Sequence, residues 1–250
     1  MGHMKKKGRF LFLVVLVLTF SGCGMWKDYQ LQKQKVRNSP EAHYQKGIEA
    51  FQEGRYKRAI ESFTRVKEQF PLDPLALLAE LGIADANFSD GQYAEADLAY
   101  TDFLSLHPTN ENIPYVMYQI GLCHYNQTLS IDRDQSDSLR ALGDFERLIA
   151  RFPTSKFAIM AEKKAHECRQ KLAEKEFYIG EFYFKREQYK AAIMRFEALA
   201  KNYPSLGMDY QTGIYLAEAK KRLAAEEAKK AKGEIVKKKE GADNRVIGGW

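Results

Sequence analysis

Between residues 40 and 204 the chain repeats one hydrophobic frame. An alanine is followed four residues later by a ring residue, and eight residues after that by proline: Ala59/Phe63/Pro71, Ala96/Tyr100/Pro108, Ala141/Phe145/Pro153 and Ala192/Phe196/Pro204. Positions i and i+4 share one face of a helix. Each set therefore predicts an amphipathic helix, and proline ends it because it lacks a donor and clashes with the preceding turn. A further ring stands before every proline, in Phe70, His107, Phe152 and Tyr203. Twelve residues before the alanine comes a small residue, Gly47, Ala84 or Gly180; in the third set it is Gly121, displaced by eight additional residues. Small residues there predict a second helix that crosses the first closely. Glu53-Gly54-Arg55-Tyr56 and Asp90-Gly91-Gln92-Tyr93 read as the turns between the paired helices.

Helix pairs of this spacing are those of the tetratricopeptide repeat. The predicted fold is all-α, a tetratricopeptide-repeat superhelix of about five helix–turn–helix units over residues 40–231. Proline-to-proline distances are 37, 45 and 51 residues, against about 34 in an ordinary repeat. In the third repeat the excess falls in Gln127–Asp137, which reads as a polar loop. In the fourth it falls in Thr154–Lys175, which reads as helix throughout, so that the first helix of that repeat is extended by several turns. Residues 208–232 predict one more helix, apolar early and polar later, of the kind that covers the last apolar face of a solenoid. Residues 232–250, with Lys237, Lys238 and Lys239, are expected to be a disordered tail.

The N-terminus follows a different pattern. Lys5–Lys7 and Arg9 precede the apolar run Phe10–Phe20, and small residues follow, in the order of a secretory signal peptide. The run is about half of what a membrane span needs. Ser21-Gly22-Cys23 resembles a bacterial lipobox, in which cleavage leaves an acylated cysteine as the new N-terminus. This reading makes residues 1–22 a leader, Cys23 the lipidation site and residues 23–39 a tether. Met4 reads as a better start than Met1.

Charge changes the picture less than its sum suggests. The formal net charge is +6. The leader carries four basic residues and no acidic ones, and residues 219–250 carry ten basic and five acidic groups, so residues 23–218 come to about −3. A nucleic-acid reader needs its positive charge on the folded part, so no nucleic-acid partner is expected. Cys123 and Cys168 read as small hydrophobes on helical faces, with a disulfide in an oxidising compartment as the alternative. No CxxC or Cys/His cluster supports a zinc site.

No catalytic set emerges, and no cofactor or metal is expected. No serine sits in a Gly-x-Ser-x-Gly turn. Asp132, Asp134 and Asp137 imitate the start of a calcium loop, but Asp137 stands where the loop needs glycine and Gly143 where it needs glutamate. His43, His107, His124 and His166 are scattered and read as structural. The aromatic residues are more informative. Tyr44, Ile48 and Phe51 lie at i, i+4 and i+7 on the first helix of repeat one; Phe88 ends that of repeat two, and Tyr115 and Tyr118 sit on that of repeat three. First helices line the concave surface of such solenoids. Most of these rings are expected in the core, and a minority exposed in the groove would suit an aromatic-rich peptide.

Several segments carry a more specific resemblance. His107-Pro-Thr-Asn-Glu-Asn-Ile-Pro-Tyr-Val-Met-Tyr-Gln-Ile-Gly-Leu122, Asp132-Arg-Asp-Gln-Ser, Leu148-Ile-Ala-Arg-Phe-Pro153 and Lys171-Leu-Ala-Glu-Lys-Glu-Phe-Tyr-Ile-Gly-Glu-Phe-Tyr183 closely resemble the BamD family, lipoproteins of the outer-membrane β-barrel assembly machinery. The resemblance spans about residues 22–223 and includes the lipidated cysteine and both long repeats. It implies a non-enzymatic adaptor on the periplasmic face of the outer membrane. Its implied partners are unfolded outer-membrane protein precursors, the periplasmic repeats of a BamA-like barrel protein, other lipoproteins of the BAM complex, and the membrane through the N-terminal lipid. Carried onto this chain, Tyr44, Ile48, Phe51, Phe88, Tyr115 and Tyr118 form the precursor groove, and Arg195 stands at the BamA interface. The last repeat departs from the family pattern, because no clear second amphipathic helix precedes the Lys-rich tail. Gly24 after the cysteine, rather than the aspartate that retains lipoproteins at the inner membrane of enteric bacteria, agrees with outer-membrane export. The alternative function is a repeat scaffold for another envelope process, such as cell division or polysaccharide export.

Overall fold

A computed structural model describes the backbone of residues 30–33 and 38–246, with side chains as far as Lys232. Among these the chain is all-helical. Pairs of helices follow one another as α1 (Pro40–Gln52), α2 (Tyr56–Gln69), α3 (Pro74–Ser89) and α4 (Tyr93–Leu106), then α5 (Ile113–Asn126), α6 (Ser136–Arg151), α7 (Lys156–Lys185), α8 (Tyr189–Asn202) and α9 (Asp209–Val246). The helices up to Leu106 form one compact module and those from Ile113 onward another. In the N-terminal module each helix packs on the next, and α1 also touches α3; in the C-terminal module the succession runs α5 to α9, with α5 also on α7 and α7 also on α9.

The repeated frame becomes the core. Ala59, Phe63 and Val66 of α2 are buried, and so are their equivalents Ala96, Tyr100 and Phe103 of α4, Ala141, Phe145 and Leu148 of α6, and Ala192, Phe196 and Leu199 of α8. Each helix presents these at i, i+4 and i+7, one stripe facing inward. The ring then lies on the glycine of the preceding helix: a Cβ on Gly47 would stand 2.5 Å from Phe63, one on Gly121 2.5 Å from Phe145, and one on Gly180 2.7 Å from Phe196. Phe63 is held from both sides, since a Cβ on Gly82 of α3 would stand 2.8 Å from its opposite edge.

Turns follow from the same chemistry. Gly54 (φ 72°) and Gly91 (φ 77°) take left-handed conformations after α1 and α3, and the next two backbone bonds reach back to the helix, Gly54 N to Phe51 O and Arg55 N to Ala50 O, Gly91 N to Phe88 O and Gln92 N to Asn87 O. This is the Schellman arrangement. The fourth repeat builds the same turn with Glu187 (φ 60°), whose N–H reaches Phe184 O while Gln188 N reaches Tyr183 O. Ser39, Asp73 and Ser155 cap the first helices, accepting from Ala42 N, Leu75 N and Phe157 N at 3.2, 2.8 and 3.2 Å.

Both long repeats differ from the ordinary one where the sequence placed the excess. α7 is a single 30-residue helix, and Ala158, Ala161, Ala165, Cys168 and Leu172 alternate three and four residues apart as its buried stripe. Residues 127–135 form the insert between α5 and α6. Gln135, 7% exposed, organises it: its amide donates to Ser130 O at 2.9 Å and its oxygen accepts from Ser138 Oγ at 2.8 Å. The backbone of α9 continues helical past Lys232 to Val246, a stretch dominated by alanine, lysine and glutamate, which lose little freedom in a helix.

Candidate functional surfaces

Cys23 lies outside the described residues. The remaining expected site residues fall on the first helices of the repeats, with one on a second helix, and each is positioned by the core just described.

In the N-terminal module, Tyr44, Ile48 and Phe51 of α1 are half-buried and pack against the cluster built on Phe63, Val66 and Ala79. The Tyr44 ring sits 5.5 Å from that of Phe63. Phe51 meets Tyr56 edge-on at 5.5 Å, and Phe88 meets Tyr93 in the same way at 5.3 Å. These rings each spend one face on the core and keep the other partly open. Asp85 lies one helical turn from Phe88 and accepts a short hydrogen bond from the buried Tyr100 hydroxyl. Burial, and then the Asp85 charge, push the Tyr44 phenol up. The acid in this face was not anticipated; its signal was the Leu81, Asp85, Phe88 spacing along α3.

In the C-terminal module the two expected rings part company. Tyr115 stays half-buried, 5.5 Å from Phe157, with its hydroxyl accepting from Gln119 Nε2 at 2.9 Å. Tyr118 is 8% exposed, wedged 5.8 Å from Phe145 and 6.0 Å from Phe157. It belongs mainly to the core, and burial pushes its phenol up. Tyr125, two turns beyond Tyr118, carries a cluster that sequence reading missed. Lys164 Nζ lies 4.2 Å and Lys171 Nζ 4.8 Å from the centroid of its ring. Its hydroxyl donates to Glu167 Oε2 at 2.7 Å, and Lys164 donates to the same oxygen at 2.7 Å. Lys171 also donates to Thr128 Oγ1 at 2.7 Å. The hydrogen bonds from Lys164 and Tyr125 hold the Glu167 carboxyl below its usual range, and the bond to Glu167, with burial, pushes the Tyr125 phenol up. The i, i+3, i+7 spacing of Lys164, Glu167 and Lys171 was the available signal.

Arg195 projects from α8 with Nη1 3.2 Å from Glu176 Oε2 of α7, and the pair remains partly exposed. It borders a shallow cleft of about 390 Å³ lined by Tyr183, Ala191, Met194 and Ala198. Met194 in this wall is 66% exposed, an uncovered apolar side chain beside a guanidinium.

Other candidates fall to structural roles. His43 pairs with Asn38 at 2.9 Å, His107 with Glu80 at 2.9 Å and His124 with the buried Asp144 at 2.6 Å. Asp132 and Asp134 accept from Ser130 and Ser136 within their own loop. Among the described residues no group of three or more His, Cys, Asp or Glu could hold a metal ion, and no helix is long and apolar enough to cross a membrane. Cys123 and Cys168 are fully buried, and burial pushes the Cys168 thiol up to about 11.

Paired helices with rings seated on small residues define a tetratricopeptide-type scaffold. The comparisons narrow this to a family. The model of the YfiO outer membrane lipoprotein family matches residues 36–235, and the chain belongs to that family. It is similar to the outer membrane protein assembly factor BamD of Rickettsia prowazekii, with 34% identity covering 84% of this chain and 80% of that protein. It is similar to the BamD proteins of Pasteurella multocida (27%, 88% of this chain and 86% of that one) and Neisseria meningitidis serogroup B (26%, 86% and 85%). The protein is therefore an outer-membrane lipoprotein homologous to outer membrane protein assembly factors, a scaffold and not an enzyme.

Proposed function

We propose that this chain is a lipid-anchored adaptor of the β-barrel assembly machinery, facing the periplasm, tethered through an acylated Cys23. The half-open first-helix faces bind extended segments of unfolded outer-membrane protein precursors: Tyr44, Ile48, Phe51 and Phe88 in the N-terminal module, Tyr115 with the edge of Tyr118 in the C-terminal one. The α7–α8 cleft engages the periplasmic repeats of a BamA-like partner through Arg195. The observation that carries this reading is the partly exposed Arg195 beside the bare Met194 in a chain of the YfiO outer membrane lipoprotein family whose relatives are outer membrane protein assembly factors. Aromatic and arginine side chains in a shallow cleft supply the anchors that interfaces favour. Each docked precursor ring would contribute about 1–3 kcal/mol through apolar burial, offset by the ordering of an unfolded segment, which suits capture followed by release.

The test is capture from detergent-solubilised membranes through a C-terminal tag. Stoichiometric recovery of a barrel protein with periplasmic repeats by the wild type, and its loss with Arg195→Glu, is the expected result. Recovery of division or export proteins without that barrel hands the function to another envelope process. Metabolic labelling with palmitate checks the anchor, because Cys23→Ser should remain unlabelled and leave the membrane fraction.

A further inference from the structure

The small residues Ala84 and Gly121 stand thirteen positions after Pro71 and Pro108, and thirteen positions after Pro204 comes Ala217 of α9. The side of α9 that faces α8 fixes this register. Gly82, two residues before Ala84, meets the ring of the preceding second helix, Phe63; Tyr215, two before Ala217, meets the preceding ring Phe196 at 5.5 Å. Ala79 and Ala86 are buried on either side of Gly82, and their equivalents Thr212 and Ala219 are buried on either side of Tyr215. The other side of α9 breaks the pattern. In the earlier repeats the residue three before the small one packs on the ring of its own second helix: Tyr44 on Phe63, Tyr118 on Phe145 and Phe177 on Phe196, at 5.5, 5.8 and 5.7 Å. Leu81 and Ala84 of α3 are buried at these two positions. In α9 they are Ile214, 51% exposed, and Ala217, also exposed. Tyr210, one turn earlier on the same stripe, is 80% exposed, and a Cβ on Gly213 would meet nothing within 4 Å. A solenoid with nothing to follow ends on a polar face; this one ends on Tyr210 and Ile214. Among the described residues no second helix folds back over them, because α9 runs unbroken to Val246. Its own sequence lacks the means: alanine and ring stand twelve and sixteen residues after the small residue in Ala59 and Phe63 or Ala192 and Phe196, but Lys229 and Gly233 stand there after Ala217.

We propose that the open side of α9 receives an amphipathic helix from a partner chain, which completes the fifth repeat in trans. The partner helix carries a small residue, a ring and an apolar residue at i, i+4 and i+7, the stripe that every second helix of this chain presents, and its ring seats on Ala217 beside Ile214. Helices joined by short turns run antiparallel, so a helix docked in the same way starts beside Lys221 and ends beside Asp209. Both are exposed, and Tyr210, Ile214, Ala217 and Lys221 share one stripe at i, i+4, i+7 and i+11. Charge therefore selects a partner helix with an acid in its first turn and a base in its last, the placement that also suits the helix dipole. The inference depends on neither the precursor grooves nor the Arg195 contact.

The test is fluorescence anisotropy of the full chain with a labelled peptide of residues 136–151, stapled on its solvent face to hold it helical. This is the sequence of α6, which carries the frame in Ala141, Phe145 and Leu148, with Asp137 in its first turn and Arg151 in its last. Saturable binding is expected, about tenfold weaker when the peptide carries Phe145→Ala, since a buried ring is the usual anchor of such a contact. Ala217→Glu in the chain should weaken binding by a similar factor, and circular dichroism checks that this change at an exposed position leaves the fold intact. Lys221→Glu should weaken the peptide as made and restore one that carries Asp137→Lys. Failure of the wild type to bind the peptide overturns the proposal, as does binding that survives Ala217→Glu, the result expected if the peptide merely displaces α6 from its own place. Sedimentation at rising concentration covers the remaining occupant: a dimer abolished by Ala217→Glu would give this side of α9 to a second copy of the chain and overturn the partner helix.

Discussion

The ring of Phe145 lies directly on Gly121: a methyl group placed on that glycine would stand 2.5 Å from Phe145 Cε1. Phe145 is completely buried, so the ring has nowhere to retreat. Gly121→Ala should destabilise the chain by about 1–3 kcal/mol, the usual cost of overpacking a dense core. Denaturant unfolding checks this, and pairing the change with Phe145→Leu should recover part of the loss, a coupling that only contacting residues show.

Glu187 performs a glycine's task. Gly54 and Gly91 take the left-handed position of their turns without steric cost, while Glu187 holds φ 60° with a Cβ attached. That conformation costs roughly 1–2 kcal/mol in a residue other than glycine, partly offset by the extra freedom glycine has when unfolded. Glu187→Gly is expected to raise stability by up to about 1 kcal/mol. A thermal melt that shows no gain, or a loss, would mean the side chain holds the turn by some other contact.

The Glu167 clasp gives stability a pH dependence of known sign. Its carboxyl is held below the ordinary value of 4.5, first by the hydrogen bond from Lys164 and then by that from Tyr125. A depressed folded-state value stabilises the fold above the unfolded value, and the contribution is lost as pH falls through the folded one. Glu167→Gln should therefore be less stable than wild type at pH 7, and the gap should close as the pH drops below about 4.5. A gap that stays constant between pH 7 and pH 3 would remove the charge from the explanation.

Tyr100 is fully buried and its hydroxyl donates to Asp85. Tyr100→Phe keeps the ring and removes the donor beside a half-buried carboxylate. The expected loss is about 1–3 kcal/mol, read by chemical denaturation, with Asp85→Asn in the same background restoring some of it.

Much of this fold is legible in the sequence because its signals are steric and repeated. Alanine, ring and proline mark every second helix, Gly54 and Gly91 mark two turns, and the surplus between Pro153 and Pro204 appears as the long α7. What escaped has physical reasons. Gly82 touches Phe63 from the following helix, a contact no local spacing encodes. Glu187 adopts a glycine conformation because the helix ends on either side of it impose the turn. Tyr118 and Tyr115 are three residues apart on one helix, yet the long α7 brings Phe157 against both and buries only the first deeply. Lys164 and Lys171 meet Tyr125 across 39 and 46 positions of sequence, so their joint charge became visible only in three dimensions.

α7 also acts as a ruler. A continuous helix of 30 residues is stiff on the scale of a domain and advances about 1.5 Å per residue. Lys171 at one station and Tyr183, in the wall of the Arg195 cleft, at another are twelve residues apart on it, about 18 Å along the axis. Five or six residues of extended chain cover that length. The Glu167 clasp and the Arg195 cleft are therefore held a fixed, short step apart by one continuous helix, with no hinge in that helix between them.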